Sequence, residues 1–205
     1  MKTLPSKCLW HNVIIILIYV SFCTLSKHST FLPNSFFVGY NGLILMLSVI
    51  YTRRDFRTNV FGLRSTISDA IRQVVIGFGA AILLSFLFAC FAVMFEDVSL
   101  FPPLQGSLNA QDIIVFICLQ IIIALAEEAF FEYYLYDTLM LLFSEKTVLS
   151  IIVDAFLFSF VHWVSNGRVK QVGIAFIFRL FALIVRKMFH KDNAFYICSS
   201  MHFFY

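Results

Sequence analysis

The sequence predicts an all-α protein, a multi-pass transmembrane helix bundle of about seven spans with the last one incomplete. Three observations lead there. The 205 residues are 60% hydrophobic and 13% charged, where soluble domains carry about 25% charged residues. Phenylalanine alone fills 26 positions, more apolar surface than a soluble fold of this size can bury. The apolar residues also fall into separate runs, several of them close to the ~20 residues that cross a bilayer.

Seven such runs follow one another: Leu9–Leu25, Phe36–Tyr51, Val74–Phe95, Ile113–Phe143, Val148–Val164, Val172–Phe189 and Ala194–Tyr205. Lys2 and Lys7 before the first resemble the start of a signal peptide. The following Ser-Phe-Cys-Thr-Leu-Ser offers no small-x-small cleavage site, so the run reads as a first membrane helix. The fourth run is too long for a simple span and calls for tilt or for continuation past the membrane surface. The seventh is too short, since twelve residues of helix climb only about 18 Å against about 30 Å of hydrocarbon.

The connections set the orientation. Arg53, Arg54, Arg57, Arg64 and Arg72 outnumber Asp55 and Asp69 in the second connection, and the third, Glu96–Asp112, holds acids without Lys or Arg. Lys/Arg excess marks the cytoplasmic side. The N-terminus and the Arg-rich connection are expected inside, with Arg186, Lys187 and Lys191. Glu96–Asp112 is expected outside, and Arg168 and Lys170 dissent. An integral protein of the plasma membrane with a cytoplasmic N-terminus follows. Basic residues confined to connections argue against nucleic acid as a partner. Cys8, Cys23, Cys90, Cys118 and Cys198 show no CxxC spacing and read as buried small hydrophobes. No internal repeat appears, which weakens a transporter reading.

The chemistry concentrates in the fourth run. Glu127 and Glu128 sit side by side after Ile-Ile-Ile-Ala-Leu-Ala, followed by Glu132 and Asp137 with no base nearby. An acid at mid-bilayer costs about 2.5–3.5 kcal/mol on insertion scales and marks a functional site by default. Such a pair must face a protein interior or a watery cavity. On an α-helix Glu128 and Glu132 share a face, with Glu127 about 100° away. Asp154 adds an acid in the fifth run, where an interhelical hydrogen bond is the plain reading, and Arg179 is the base in the middle of a later run. His162 and His202, on two further runs, are placed to join the Glu pair. Such a set supports a carboxylate base with imidazoles at an oxyanion. Equally, Glu127, His162 and His202 suit a zinc ion that activates water. A plain interhelical hydrogen-bonding role for each His stands beside both.

These residues form an ordered set of motifs. Glu127-Glu128-Ala-Phe-Phe-Glu132 resembles EExxxR, and Phe158-Ser-Phe-Val-His162 resembles FxxxH. Phe176 lies where a weaker third motif would fall, and His202 begins HxxxN or HxxxD. Phe61-Gly62-Leu63 before a long apolar run is a further likeness. Together they resemble the CPBP family, the CAAX proteases and bacteriocin-processing or immunity proteins also called Abi. The resemblance implies N-terminal membrane helices over residues 1–59 and a protease domain over 60–205, truncated at its last motif. It implies an intramembrane CAAX-type endopeptidase in which Glu127 activates water, Glu128 and His162 orient the site, and His202 steadies the oxyanion. The implied partners are the lipid bilayer and a peptide or protein-tail substrate, prenylated or bacteriocin-like. The resemblance leaves metal dependence open, with an ion at Glu127, His162 and His202 not favoured. Two departures, Glu132 in place of Arg and no Asn or Asp after His202, support the alternative of a non-catalytic immunity or scaffold member. An arginine at 132 is expected to relieve the acid cluster.

Overall fold

The computed structural model describes residues 6–28, 34–56, 66–94, 110–166, 169–189 and 195–204. All are helical apart from short turns. The helices are α1 (Ser6–His28), α2 (Asn34–Tyr51), α3 (Ile67–Met94), α4 (Ala110–Glu127), α5 (Tyr136–Leu142), α6 (Thr147–Asn166), α7 (Val169–Phe189) and α8 (Phe195–Phe204). Two π-helical stretches interrupt them: π1 (Thr52–Phe56) follows α2, and π2 (Glu128–Leu135) joins α4 to α5. With α4, π2 and α5 taken as one rod, the described residues form seven helices.

Four segments are long and apolar enough to cross a membrane: Lys7–Leu25, Ile67–Cys90, Ile113–Leu142 and Thr147–Val164. The protein is an integral membrane protein on that evidence. Of the other runs, α8 has 10 residues, and α7 carries Arg179, Arg186 and Lys187 within its length. The long fourth run is one continuous rod, but it is not α-helical throughout. In π2 the backbone bonds i to i+5, a winding that is rare and common at functional sites.

Two boundaries differ from the sequence reading. α3 begins seven residues before Val74, because Thr66 caps it. The Thr66 hydroxyl accepts from the Asp69 amide at 3.2 Å, and Asp69 Oδ2 accepts from the Thr66 amide at 3.1 Å. This is a capping box, which satisfies two otherwise orphaned donors. Asp69 and Arg72 therefore lie on α3 and not in a connection. At the other end Asp112 lies in the first turn of α4. Arg57, Asn59, Phe61-Gly62-Leu63, Arg64, most of the Glu96–Asp112 connection, Arg168 and Lys191 fall outside the described residues.

The rod of α4, π2 and α5 is the axis of the bundle. Every residue of π2 is buried. A helix enclosed on all sides carries apolar residues all round, and Phe130, Phe131, Tyr133, Tyr134 and Leu135 supply them. α1 lies antiparallel to the rod, with Asn12 Nδ2 donating to Thr138 Oγ1 at 3.0 Å and His11 Nδ1 3.0 Å from the Tyr134 hydroxyl. Its buried stripe, Cys8, Asn12, Ile15, Tyr19 and Cys23, keeps helical spacing. α2 runs back along α1, so that Tyr51 stacks on His11 at 3.9 Å and Phe36 on Phe22 at 5.8 Å. α7 runs parallel to the rod.

α3 turns Val75, Phe78, Ile82 and Phe86 outward, where lipid tails solvate them, and Gln73, Gly77, Ala81 and Leu84 inward. Gly77 meets Ser200 and the Ile197 carbonyl of α8 so closely that a Cβ would overlap both. Small residues at such crossings let membrane helices approach.

Candidate active site

Glu127 ends α4 and Glu128 begins π2, so both enter the centre of the bundle from consecutive backbone positions. Glu127 is 6% exposed and Glu128 fully buried. The two carboxylates converge on one imidazole. His202 of α8 places Nδ1 2.8 Å from Glu128 Oε1 and Nε2 3.2 Å from Glu127 Oε2. The first is a hydrogen bond. The second is a charge contact without hydrogen-bond alignment, and it leaves Glu127 Oε2 unsatisfied among the described residues. The other oxygen of Glu127 accepts a hydrogen bond from the Tyr19 hydroxyl of α1. His202 can serve both carboxylates as donor only as the imidazolium.

Glu128 has a second partner. Arg179 Nη1 lies 2.9 Å from Glu128 Oε2, and Arg179 Nε lies 2.6 Å from Asp154 Oδ1 on α6. All three side chains are fully buried. The guanidinium also sits over the rings of Phe131 and Phe158, 5.9 and 5.5 Å from their centroids, within reach of cation–π attraction. Asp154, read from sequence as a hydrogen-bonding residue, is thus half of an ion pair. Arg179 supplies from across the bundle the cation that the Glu helix lacks.

A second cluster lies one to two turns along. Arg186 of α7 places Nη2 3.1 Å from Asp137 Oδ1 and Nε 3.7 Å from Glu132 Oε1, and it donates to the Glu132 carbonyl. Its guanidinium lies 4.7 and 4.6 Å from the ring centroids of Tyr133 and Tyr136. Arg186 therefore belongs to the interior and does not act as a loop charge. It is 2% exposed, and Arg179, seven residues earlier, shares its helix face. Glu132 is likewise not an uncompensated acid. Five carboxyls (Glu127, Glu128, Glu132, Asp137 and Asp154) face two guanidiniums and one imidazole.

Among the described residues His162 bonds to neither carboxylate of the Glu pair. Its Nδ1–H donates to the Phe158 carbonyl at 3.1 Å, which leaves Nε2 as an acceptor in the neutral ring. One aromatic ring links it to the site. Phe158 lies 4.4 Å from the His162 ring and 5.8 Å from the His202 ring. Among the described residues no three His, Cys, Asp or Glu side chains are placed to hold a metal ion. Both nitrogens of His202 are turned to carboxylates. What the arrangement offers directly is a buried carboxylate with one free oxygen, held beside an imidazole that can carry a proton.

Sequence reasoning missed Tyr19 and Arg186. Tyr19 carried one weak signal, a lone hydroxyl within Ile14-Ile-Ile-Leu-Ile-Tyr19-Val. Arg186 carried the seven-residue spacing from Arg179. His11 pairs with Asp55 Oδ2 at 2.9 Å, and Tyr134 donates to the same oxygen at 2.8 Å.

No curated protein and no solved structure matches the chain. A family model does: residues 109–205 match the one described as type II CAAX prenyl endopeptidase Rce1-like. That stretch holds both glutamates, Asp154, His162, Arg179, Arg186 and His202. Over its C-terminal part, residues 109–205, this chain is similar to the Rce1-like type II CAAX prenyl endopeptidases.

Proposed function

We propose that the chain is an intramembrane endopeptidase that cleaves the tail of a small membrane-associated protein or peptide, a prenylated tail being the kind the family description names. The observation that supports this most is the setting of Glu127. One of its oxygens is held by Tyr19, the other faces His202 without an aligned hydrogen bond, and its neighbour Glu128 is fixed by Arg179. In this reading Glu127 Oε2 takes a proton from water as the water oxygen attacks the scissile carbonyl, and later returns it to the leaving amine. His202, held by Glu128, keeps the imidazole oriented and carries positive charge beside the developing oxyanion. His162 presents Nε2 from behind Phe158 and donates to the oxyanion when protonated. Arg179 and Asp154 act through Glu128. The protein works in the cell membrane, its N-terminus in the cytoplasm.

The test compares wild type with Glu127→Gln on a prenylated peptide ending in a CAAX sequence, with and without chelator. Glu127→Gln should abolish cleavage, since general base catalysis contributes about 10²–10⁴-fold. Wild type that leaves prenylated and unprenylated tails intact would favour the non-catalytic alternative.

A further inference from the structure

We propose that α1, which lies outside the segment matched by the family model, completes the site, with Tyr19 as the positioning residue of Glu127. The proposal rests on the peptidase reading for its kinetic consequence and on geometry for its existence. Tyr19 is 5% exposed and is the residue that holds Glu127 Oε1. Its ring is fixed on two sides, edge-on to Phe131 of π2 at 6.0 Å and to Tyr40 of α2 at 6.4 Å. A ring clamped in this way brings its hydroxyl to a defined point, and little rotamer freedom is left for Glu127 to recruit.

Register supports the same reading. α1 is antiparallel to the rod and is pinned to it at two polar contacts below the site. Asn12 bonds Thr138, and His11 meets Tyr134, which is itself bonded to Asp55 of π1. Seven residues beyond Asn12 on the same face, two helical turns on, Tyr19 arrives level with Glu127, eleven residues before Thr138 on a rod running the other way. These contacts set the height at which the hydroxyl meets the carboxylate. The carboxylate is then held at Oε1 by Tyr19 of α1, while Oε2, unsatisfied among the described residues, faces His202 of α8. A carboxylate has about four acceptor positions, so the Tyr19 bond leaves room for water. Tyr19 touches no reacting atom in this scheme and acts through Glu127.

The experiment uses the full chain in bilayers or detergent, with histidine labelled by nitrogen-15, and compares wild type, Tyr19→Phe and Glu127→Gln. Phenylalanine keeps the ring and its packing and removes the hydroxyl alone. The His202 ring-nitrogen resonances should move in Tyr19→Phe, in the same direction as in Glu127→Gln and by less, while those of His11 stay in place. Cleavage of the prenylated peptide by Tyr19→Phe should fall about 10- to 100-fold in kcat, the scale of a small misplacement of a reacting group, with KM within about twofold. Unmoved His202 resonances overturn the proposal whatever the activity. An unchanged kcat in an active wild-type background also overturns it. Shifted resonances with no cleavage by wild type overturn the peptidase reading and leave the positioning role standing.

Discussion

Arg179 binds two carboxylates from two other helices and has no exposed surface, so its removal leaves two buried acids without their cation. Breaking a buried pair by deleting one partner costs about 3–5 kcal/mol. Arg179→Met should lower stability by that order, read from thermal unfolding in detergent, and Arg179→Met combined with Glu128→Gln and Asp154→Asn should recover part of the loss. Glu132→Arg tests the second cluster. From sequence, relief is expected, because Glu132 follows two acids on one helix. In the structure Arg186 already stands 3.7 Å from Glu132, and an added guanidinium there faces Arg186 at close range. Glu132→Arg should therefore reduce the unfolding temperature, and a rise would show that Arg186 does not serve Glu132. Glu127, Glu128 and His202 were legible in the sequence, because a polar or charged group within an apolar run is too costly to face lipid and must find a partner inside. Tyr19, Arg186 and the pairing of His11 with Asp55 were not. Their roles follow from which helix faces meet, and no local pattern records that.

At the level of the helix, the apolar run lengths located seven rods, since bilayer thickness constrains each one separately. The start of α3 was missed because a capping box outweighs the polarity of Ser68, Asp69 and Arg72. Helix spacing misled at π2, where the assumption of 3.6 residues per turn fails. The crossing of α3 with α8 carries a further prediction. Gly77 lets α8 come close enough for His202 to reach both glutamates. Gly77→Ala sets a methyl group against Ser200 and the Ile197 carbonyl, an overpacking that costs about 1–3 kcal/mol. It should lower stability by that order and reduce cleavage, whereas Gly79→Ala, with open space around it, should change neither. Equal effects of the two in unfolding and cleavage assays would show that the close crossing at Gly77 does not set the position of His202.

Across the whole molecule, the contacts of His11 with Asp55 and Tyr134 and of Arg186 with Asp137 place the N-terminal end of α1, the C-terminal end of α2, α5 and the C-terminal end of α7 at one end of the bundle. Exposed Arg53 and Arg54 extend from that same end, which the Lys/Arg rule assigns to the cytoplasm. Asn59→Cys, in a chain whose native cysteines are replaced by alanine, should react with an impermeant maleimide only from the cytoplasmic side, and labelling of intact cells would invert the orientation. The π-helical stretch bears on this arrangement in one more way. It behaves as a phase shifter between the two halves of the rod: Glu128 and Asp137, which an unbroken α-helix would set on opposite faces, are brought round to the same side, where they meet Arg179 and Arg186 on one straight face of α7. Inserting one alanine after Ala129, wound as ordinary α-helix, would rotate one half against the other by about 100°. One of the two ion pairs would then have to open, so the lengthened chain should unfold more easily than the wild type.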